Sequence, residues 1–368
     1  MRWPALAAIL GAVAAAGLSG RNASAIPTFA HQYGVTCQKC HSVIPHLNEF
    51  GAAFLANGER IPGVQPGPAV PISGKLNLAD SSQYQGPGLP KAIVDEVEVF
   101  IAGPIGTRAS GLFEQYIVDG GNPGLTRDAW VTDRVNPWQA RIPVFAQGGS
   151  FTLPVPVDPE TFRDTYQHYT IFDQTVGANP FNFFDPKIGA RMSFGDPLRG
   201  LSGQVFAGPG HDRQSGLPTY GTDWMGVAQD AMGFLTVTAY HYSGARLLPG
   251  GVVDNFWRNG AGLVYNNYTR WEWDNVLQQG WDTNCESPGY SGCATSGGFT
   301  QLRYMFNAHL FAEARYEGTQ DPTNRFQRDG VILLGYGPTE NTRITLEDVI
   351  SHVPQTTHTM NLQFTIAY

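Results

Sequence analysis

The last ten residues, TMNLQFTIAY (359–368), alternate between polar and apolar side chains, with Ala367 as the one exception. In an extended chain, successive side chains point to opposite faces. One face then carries Met360, Leu362, Phe364, Ile366 and Tyr368, and the other carries Thr359, Asn361, Gln363, Thr365 and Ala367. This period of two predicts a β-strand with one apolar face at the C-terminus.

The same alternation recurs through most of the chain. It is seen in IVDEVEVFIA (93–102), in AHLFAEARYEG (308–318), where Phe311 breaks it, and in TRITLEDVIS (342–351), after a predicted turn at 338–341. The pattern begins at Ile72, after the Pro/Gly-rich stretch IPGVQPGPAVPISG (61–74), which reads as a linker. The 297 residues from Ile72 to Tyr368 are therefore predicted to be mainly β.

Alternation alone fits a soluble sheet protein as well as a membrane barrel. Three features favour the barrel. The apolar faces are rich in aromatic and small residues, only 15% of residues are charged, and an aromatic residue closes the last strand. The aromatic end resembles the C-terminal insertion signal of bacterial outer-membrane proteins. At roughly 10 residues a strand, with turns and loops added, we predict a transmembrane antiparallel β-barrel of about 16 strands over residues 64–368.

The chain begins like an exported protein. Arg2 is followed by the apolar run PALAAILGAVAAAGL and by Ala23-Ser24-Ala25, an A-x-A cleavage site. We therefore expect residues 1–25 to be a signal peptide, with an N-terminal membrane anchor as the alternative. The formal charge of −8 argues against a general nucleic-acid binder.

Between signal and linker lies a small segment, residues 26–63, with an unusual motif. Cys37-Gln38-Lys39-Cys40-His41 is C-x-x-C-H, the attachment pattern of c-type haem. Two thiols three residues apart can bond the two vinyl groups of one porphyrin, and the next histidine can bind the iron. A zinc knuckle, a redox disulfide and chance are the alternatives, but no second ligand pair lies nearby for zinc.

The surroundings of the motif predict a helix and leave the second iron ligand open. PHLNEFGAAFLANG (45–58) places Leu47, Phe50 and Phe54 on one helical face. His31 is the preferred candidate for the distal ligand, because His46 follows the proximal histidine too closely to reach the opposite face. A methionine or another histidine of the barrel is the remaining possibility.

The other two cysteines lie far from the motif. Cys285 and Cys293 enclose seven residues within GWDTNCESPGYSGCATSGG (280–298), which we predict to be an external loop, like GPGHDRQSGLPTYGTD (208–223). We predict a disulfide between Cys285 and Cys293 that stabilises this loop. Free thiols or a metal site are the alternatives.

The stretch PTFAHQYGVTCQKCHSVIPHLNEFGAAFLANGER (27–60) resembles the N-terminus of the fused cytochrome–porins, outer-membrane monohaem cytochromes that include the iron oxidase of iron-oxidising bacteria. The shared residues are Pro27, Phe29, Ala30, Gln32, Cys37, Cys40, His41, Pro45, Leu47, Phe50, Gly51, Phe54 and Gly58. The resemblance implies one covalent haem c, bound by Cys37, Cys40 and His41, in or at the mouth of an outer-membrane barrel.

The favoured function is electron transfer across the outer membrane, between an extracellular donor such as Fe(II) and a periplasmic carrier such as a cytochrome. The protein would then be an Fe(II):cytochrome oxidoreductase in the broad sense. The alternatives are a solute porin with a haem plug and a soluble periplasmic cytochrome fusion. No Ser-His-Asp arrangement, metalloprotease motif or phosphate loop points to another enzyme.

Overall fold

A computed structural model describes residues 27–68, 70–82, 92–159, 161–177, 179, 181–209, 220–248, 250–284, 291–320, 326–353 and 355–368. The predicted signal peptide, residues 1–25, lies outside these ranges. Among the described residues, no helix is both long enough and apolar enough to cross a membrane.

The N-terminal segment, described from residue 27 to residue 63, contains two short helices and a small hairpin. Their order is α1 (Pro27–Tyr33), a 3₁₀ turn (Cys37–Lys39), β1 (His41–Val43), β2 (His46–Leu47) and α2 (Glu49–Ala56). The helix predicted over residues 45–58 is wrong at its start. Asn48 caps α2 by accepting a hydrogen bond from the Gly51 N–H, so Leu47 belongs to the hairpin instead. The predicted end holds, because Asn57 is the C-cap and Gly58 follows with φ of 67°.

The rest of the chain closes into a barrel in which every strand is antiparallel to its neighbours. The strands are β3 (Ile72–Ser81), β4 (Ala92–Ile105), β5 (Ala109–Asp119), β6 (Asn122–Pro123), β7 (Thr126–Arg134), β8 (Val144–Phe151), β9 (Lys187–Asp196), β10 (Arg199–Gly208), β11 (Asp223–Met232), β12 (Leu235–Leu248), β13 (Val252–Asn266), β14 (Trp271–Asn284), β15 (Ser291–Met305), β16 (Leu310–Gln320), β17 (Phe326–Tyr336), β18 (Thr342–Val353) and β19 (Gln355–Ala367).

Segments β6 and β7 both pair with β5, so together they form one interrupted strand. The described residues thus form a barrel of sixteen strands, which confirms the predicted count. It closes where the C-terminal strand pairs with the first barrel strand, with Ala367 opposite Lys75. Closure leaves no open edge, as a sheet in lipid requires.

The buried and exposed faces of the barrel are inverted relative to a soluble protein. In β19, Asn361, Gln363 and Thr365 are buried, whereas the apolar residues between them are partly exposed. In β14, Glu272 and Asp274 point inward while Leu277 is 70% exposed on the outside. Polar residues therefore face the interior and apolar residues face out, the arrangement of a transmembrane barrel.

Outward-facing aromatic residues form two rows across neighbouring strands. Trp257 is opposite Trp281, and Tyr265 is opposite Trp273. Trp273 and Trp281 are eight residues apart on β14, which is about 27 Å along a strand. A strand tilt of about 40° reduces this to about 20 Å of depth, close to the apolar band of about 25 Å between the aromatic girdles of outer-membrane barrels.

The two ends of the barrel differ. One end, the short-turn end, carries tight connections such as 106–108, 197–198 and 233–234, together with the C-terminus. The turn predicted at 338–341 is also there and is confirmed, between β17 and β18. The opposite, long-loop end carries the connection between β8 and β9.

The described residues of that connection, 152–159, 161–177, 179 and 181–186, fold into the lumen and are called the inward loop below; the sequence did not predict it. Its Asp164 accepts hydrogen bonds from Arg303 and Arg343 on the barrel wall. Its Asn179 donates to Asp254 and Asp282. The aromatic residues of the loop pack with those of the wall, as where Tyr169 stacks on Phe299 with ring centroids 4.4 Å apart. Several inward-facing charges of the wall thus find partners on the loop.

The external loop predicted over 280–298 is mostly strand. Residues 280–284 belong to β14 and residues 291–298 to β15, because their backbones pair across a ladder that reaches Asn284 and Ser291. Residues 285–290 lie outside the described residues. So do residues 210–219 of the other predicted loop.

Candidate functional site

The two cysteines of the C-x-x-C-H motif are brought to one side of the chain by the 3₁₀ turn. Cys37 lies inside the turn, and the Cys40 N–H donates to the Cys37 carbonyl oxygen at 3.0 Å. With three residues per turn, side chains at i and i+3 are eclipsed. Cys37 is buried and Cys40 is half-buried. This arrangement suits two thioether bonds to one porphyrin.

Helix α2 packs directly against this turn. The Asn48 N–H donates to the Cys40 carbonyl oxygen at 2.9 Å, just before the helix begins. A Cβ atom on Gly51 would lie 2.1 Å from the same carbonyl oxygen, so only glycine allows this approach. Gly51 therefore lets the helix lie over the motif.

His41 is held in one tautomer by the hairpin. Its Nδ1 lies 2.7 Å from the Pro45 carbonyl oxygen, which can only accept, so Nδ1 carries the proton and Nε2 keeps a lone pair. Burial lowers the pKa of His41 to about 4, which keeps the ring neutral. Histidines that bind metals usually donate their other ring N–H to a carbonyl or carboxylate in this way. His41 is thus prepared to bind a metal through Nε2.

His41 lines a large cavity inside the barrel, of about 1190 Å³. Pockets for drug-sized ligands are typically about 300–1,000 Å³, so the space is ample for a porphyrin. The N-terminal segment contributes Phe29, Ile44 and Pro45, and α2 contributes the small side chains Ala52, Ala53 and Ala56. Small and apolar groups beside a neutral histidine fit one face of a haem, and the two cysteines that would attach it precede that histidine in the chain.

The cavity runs along the barrel past the N-terminal segment. At the short-turn end its wall includes Pro197 and Phe234, and at the long-loop end it includes Asp119 and His168. Among the described residues of its wall are twelve Asp or Glu and six Lys or Arg. The cavity is therefore continuous between the two ends and negative on balance.

His46 joins the N-terminal segment to the barrel. It is 2% exposed, and its Nε2 lies 2.7 Å from Glu272 Oε2 on β14. Its Nδ1 lies 3.4 Å from Asp164 Oδ2 on the inward loop. Burial and Arg303 lower the pKa of His46, but the two carboxylates outweigh them and raise it to about 9. His46 thus faces a carboxylate on each side, hydrogen-bonded to Glu272 through Nε2 and beside Asp164 at Nδ1, which argues against a role as iron ligand in this arrangement.

The structure does not bring the predicted distal ligand to the site. His31 is exposed on α1 and is not part of the cavity wall. The second histidine on the described part of that wall, His168, pairs with Asp173 at 3.0 Å and stacks on Phe184. A distal role for His31 remains a prediction.

The predicted disulfide involves a residue outside the described ranges. Cys293 is buried beside Val176 of the inward loop, whereas Cys285 is not described. The pairing therefore stays a prediction.

One residue of the cavity wall, Glu59, was not predicted from the sequence. Glu59 follows Gly58 with φ of 56°, and its side chain is 8% exposed. Its Oε2 has no hydrogen-bond partner among the described residues. In the sequence, Asn57-Gly58 signals only the end of a helix, and nothing marks the next carboxylate as internal.

The barrel resembles porins of known structure. It matches an anion-selective porin from Comamonas acidovorans with a TM-score of 0.59 and 11% identity, over 81% of this chain and 98% of that one. It matches Salmonella typhi OmpF, solved in complex with daunomycin, with a TM-score of 0.59 and 13% identity, over 81% and 97%. At these identities the likeness shows a porin-type fold and no more. The sequence matches no protein-family model and no curated protein.

Proposed function

We propose that this protein is an outer-membrane c-type cytochrome of the fused cytochrome–porin family, carrying electrons from an extracellular donor to a periplasmic carrier. The observation that carries the proposal is the position of His41, the last residue of the C-x-x-C-H motif, on the wall of a cavity inside a porin-type barrel. There His41 keeps Nε2 free by donating from Nδ1 to the Pro45 carbonyl oxygen.

Each part of the motif has a role in this proposal. Cys37 and Cys40 hold the porphyrin covalently, and His41 binds its iron. The haem, when bound, supplies one-electron chemistry. The N-terminal segment acts as a plug that keeps the site inside the lumen, and His46 anchors that plug to Glu272 on the wall.

The orientation follows from the ends of the barrel. Outer-membrane barrels carry short turns on the periplasmic side and longer loops outside. The turn 337–341 lies beside the plug, where a Cβ on Gly337 would lie 3.2 Å from Val43. The haem would therefore lie nearer the periplasmic carrier.

Ferrous iron is the donor that we favour. Twelve acidic against six basic residues line the cavity, and Asp119 and Asp173 stand at its long-loop end. An excess of negative charge on the wall of a low-dielectric cleft raises the local concentration of cations. A small dissolved cation is thus better suited to this passage than an anion.

The proposal is tested on purified protein. We expect haem staining on a denaturing gel, a c-type absorption spectrum and reduction by Fe(II) within seconds to minutes. In a Cys37→Ala, Cys40→Ala double variant the stain should disappear. An unstained wild-type band, or a haem that Fe(II) leaves oxidised, would overturn the cytochrome or the iron version respectively.

A solute porin is the second candidate, favoured by the continuity of the cavity between the two ends. It predicts conductance in planar bilayers that His41→Ala leaves unchanged, and permeation of small solutes into vesicles. A soluble periplasmic fusion is disfavoured by exposed outward residues such as Leu277. It would fractionate without detergent.

A further inference from the structure

We propose that Glu59 is the proton-binding residue coupled to the redox state of the site: its carboxylate takes up a proton when the iron is reduced and releases it on reoxidation. The inference rests on the proposed function, because it requires haem at His41. It adds a proton to the electron transfer.

The position of Glu59 is the first argument. It follows α2 on the N-terminal segment and lines the same cavity as His41. Its side chain is 8% exposed, and Oε2 lacks a hydrogen-bond partner among the described residues. A buried carboxylate with an unpaired oxygen is costly, which favours a proton on it.

The backbone holds this carboxylate in place. Non-glycine residues seldom adopt positive φ, and those that do cluster at functional sites. At Glu59 the φ of 56° is secured by hydrogen bonds from the Glu59 N–H to the Phe54 carbonyl oxygen, at 3.0 Å, and from Asn57 Nδ2 to the Arg60 carbonyl oxygen, at 2.9 Å. Arg60 in turn donates to the Gly106 carbonyl oxygen of the barrel. The turn therefore cannot easily swing Glu59 out to water.

The charges around Glu59 leave it able to titrate. Burial raises the pKa of Glu59 to about 8, and Arg191 on β9 partly opposes this. The carboxylates of Asp158 on the inward loop and Asp128 on β7 also attract the Arg191 guanidinium, which weakens its electrostatic stabilisation of the Glu59 carboxylate. From its own segment, Glu59 faces Tyr33 on α1 and its neighbour Arg60.

The coupling follows from electrostatics in a shared cavity. The donor supplies one electron, which makes the iron site more negative by one charge, and the proton comes from cavity water. Within a low-dielectric space the extra negative charge raises the proton affinity of a nearby carboxylate. By reciprocity, protonation of Glu59 makes reduction easier, so the potential falls as pH rises.

The test is a spectroelectrochemical titration of the haem-loaded protein from about pH 5 to about pH 10. We expect the wild-type midpoint to fall with pH around pH 8, with a limiting slope of about 59 mV per pH unit, because a tenfold change in proton binding corresponds to that value for one electron. Glu59→Gln should remove the slope and Glu59→Asp should keep it. The exposed Glu49→Gln, on the same segment, is the matched control and should behave like wild type.

A wild-type potential independent of pH would overturn the proposal. So would a Glu59→Gln variant with the wild-type slope, which would assign the proton to the porphyrin carboxylates. Neither result contradicts the proposed function, which is contradicted only if the protein shows no haem stain or if Fe(II) does not reduce the haem. If Glu59→Gln does not fold, Glu59→Asp still decides, because its titration must keep the slope with a displaced midpoint.

Discussion

His46 Nε2 lies 2.7 Å from Glu272 Oε2, so that a residue of the N-terminal segment is ion-paired with the barrel wall across 226 positions of sequence. The pair is buried, and Asp164 of the inward loop flanks it. Three parts of the chain therefore meet at one histidine.

Removing this histidine should loosen the segment. Breaking a buried ion pair by deleting one partner costs about 3–5 kcal/mol, because the remaining charge stays buried and uncompensated. We expect His46→Ala to lower the thermal midpoint and to make residues 27–63 sensitive to limited proteolysis. His31→Ala, at an exposed position of the same segment, is the control. Equal protease resistance of the two variants would contradict an anchoring role.

The pKa of Glu59 predicts a pH dependence of stability. The pKa of Glu59 in the folded protein, about 8, is raised above the ordinary 4.5. Its contribution to the free energy of unfolding is therefore fully present below about pH 4.5 and is lost as the pH rises through about 8. The thermal midpoint of the wild type, relative to Glu59→Gln, should therefore fall between pH 5 and pH 9. A difference that stays constant across this range would mean that Glu59 does not titrate there.

Charge at the long-loop end should control the rate of reduction by Fe(II). Asp119 is exposed there and lines the cavity. We expect Asp119→Asn to slow reduction a few-fold at low ionic strength and hardly at all at about 1 M salt, where charges are screened beyond about 3 Å. Asp196→Asn, at the short-turn end, should have a smaller effect. Equal effects of the two variants on the rate of reduction would contradict entry of Fe(II) through the long-loop end.

The lipid-facing surface can be tested at Leu277, which is 70% exposed on β14 between the two aromatic rows. Arginine on the lipid face near the midplane destabilises such barrels by about 2–4 kcal/mol. Leu277→Arg should therefore weaken folding into vesicles by that amount, measured by denaturant titration. Thr269→Arg, in the exposed turn between β13 and β14, should cost little. Equal stability of the two variants would place Leu277 outside the lipid.

The spacing of apolar residues predicted the start of helix α2 wrongly. The spacing of Leu47, Phe50 and Phe54 predicted a helix from residue 45, yet Asn48 caps it later and Leu47 pairs with His41 in the hairpin. The apolar spacing was compatible with both structures. The contact of Gly51 with the Cys40 carbonyl oxygen depends on the folded segment and decides between them.

The sequence by itself determined that the chain from Ile72 onward is mainly β, which face the clearly alternating strands turn outward and the approximate strand number. It did so because the period of two follows directly from the pleat of a strand with one face toward lipid. It also contained the C-x-x-C-H motif, whose residues are local. Only the tertiary structure decided the course of the inward loop, the anchoring of His46 by Glu272 and the burial of Glu59. These depend on polar contacts inside the lumen between residues far apart in the chain, and such contacts leave no periodic trace in the sequence.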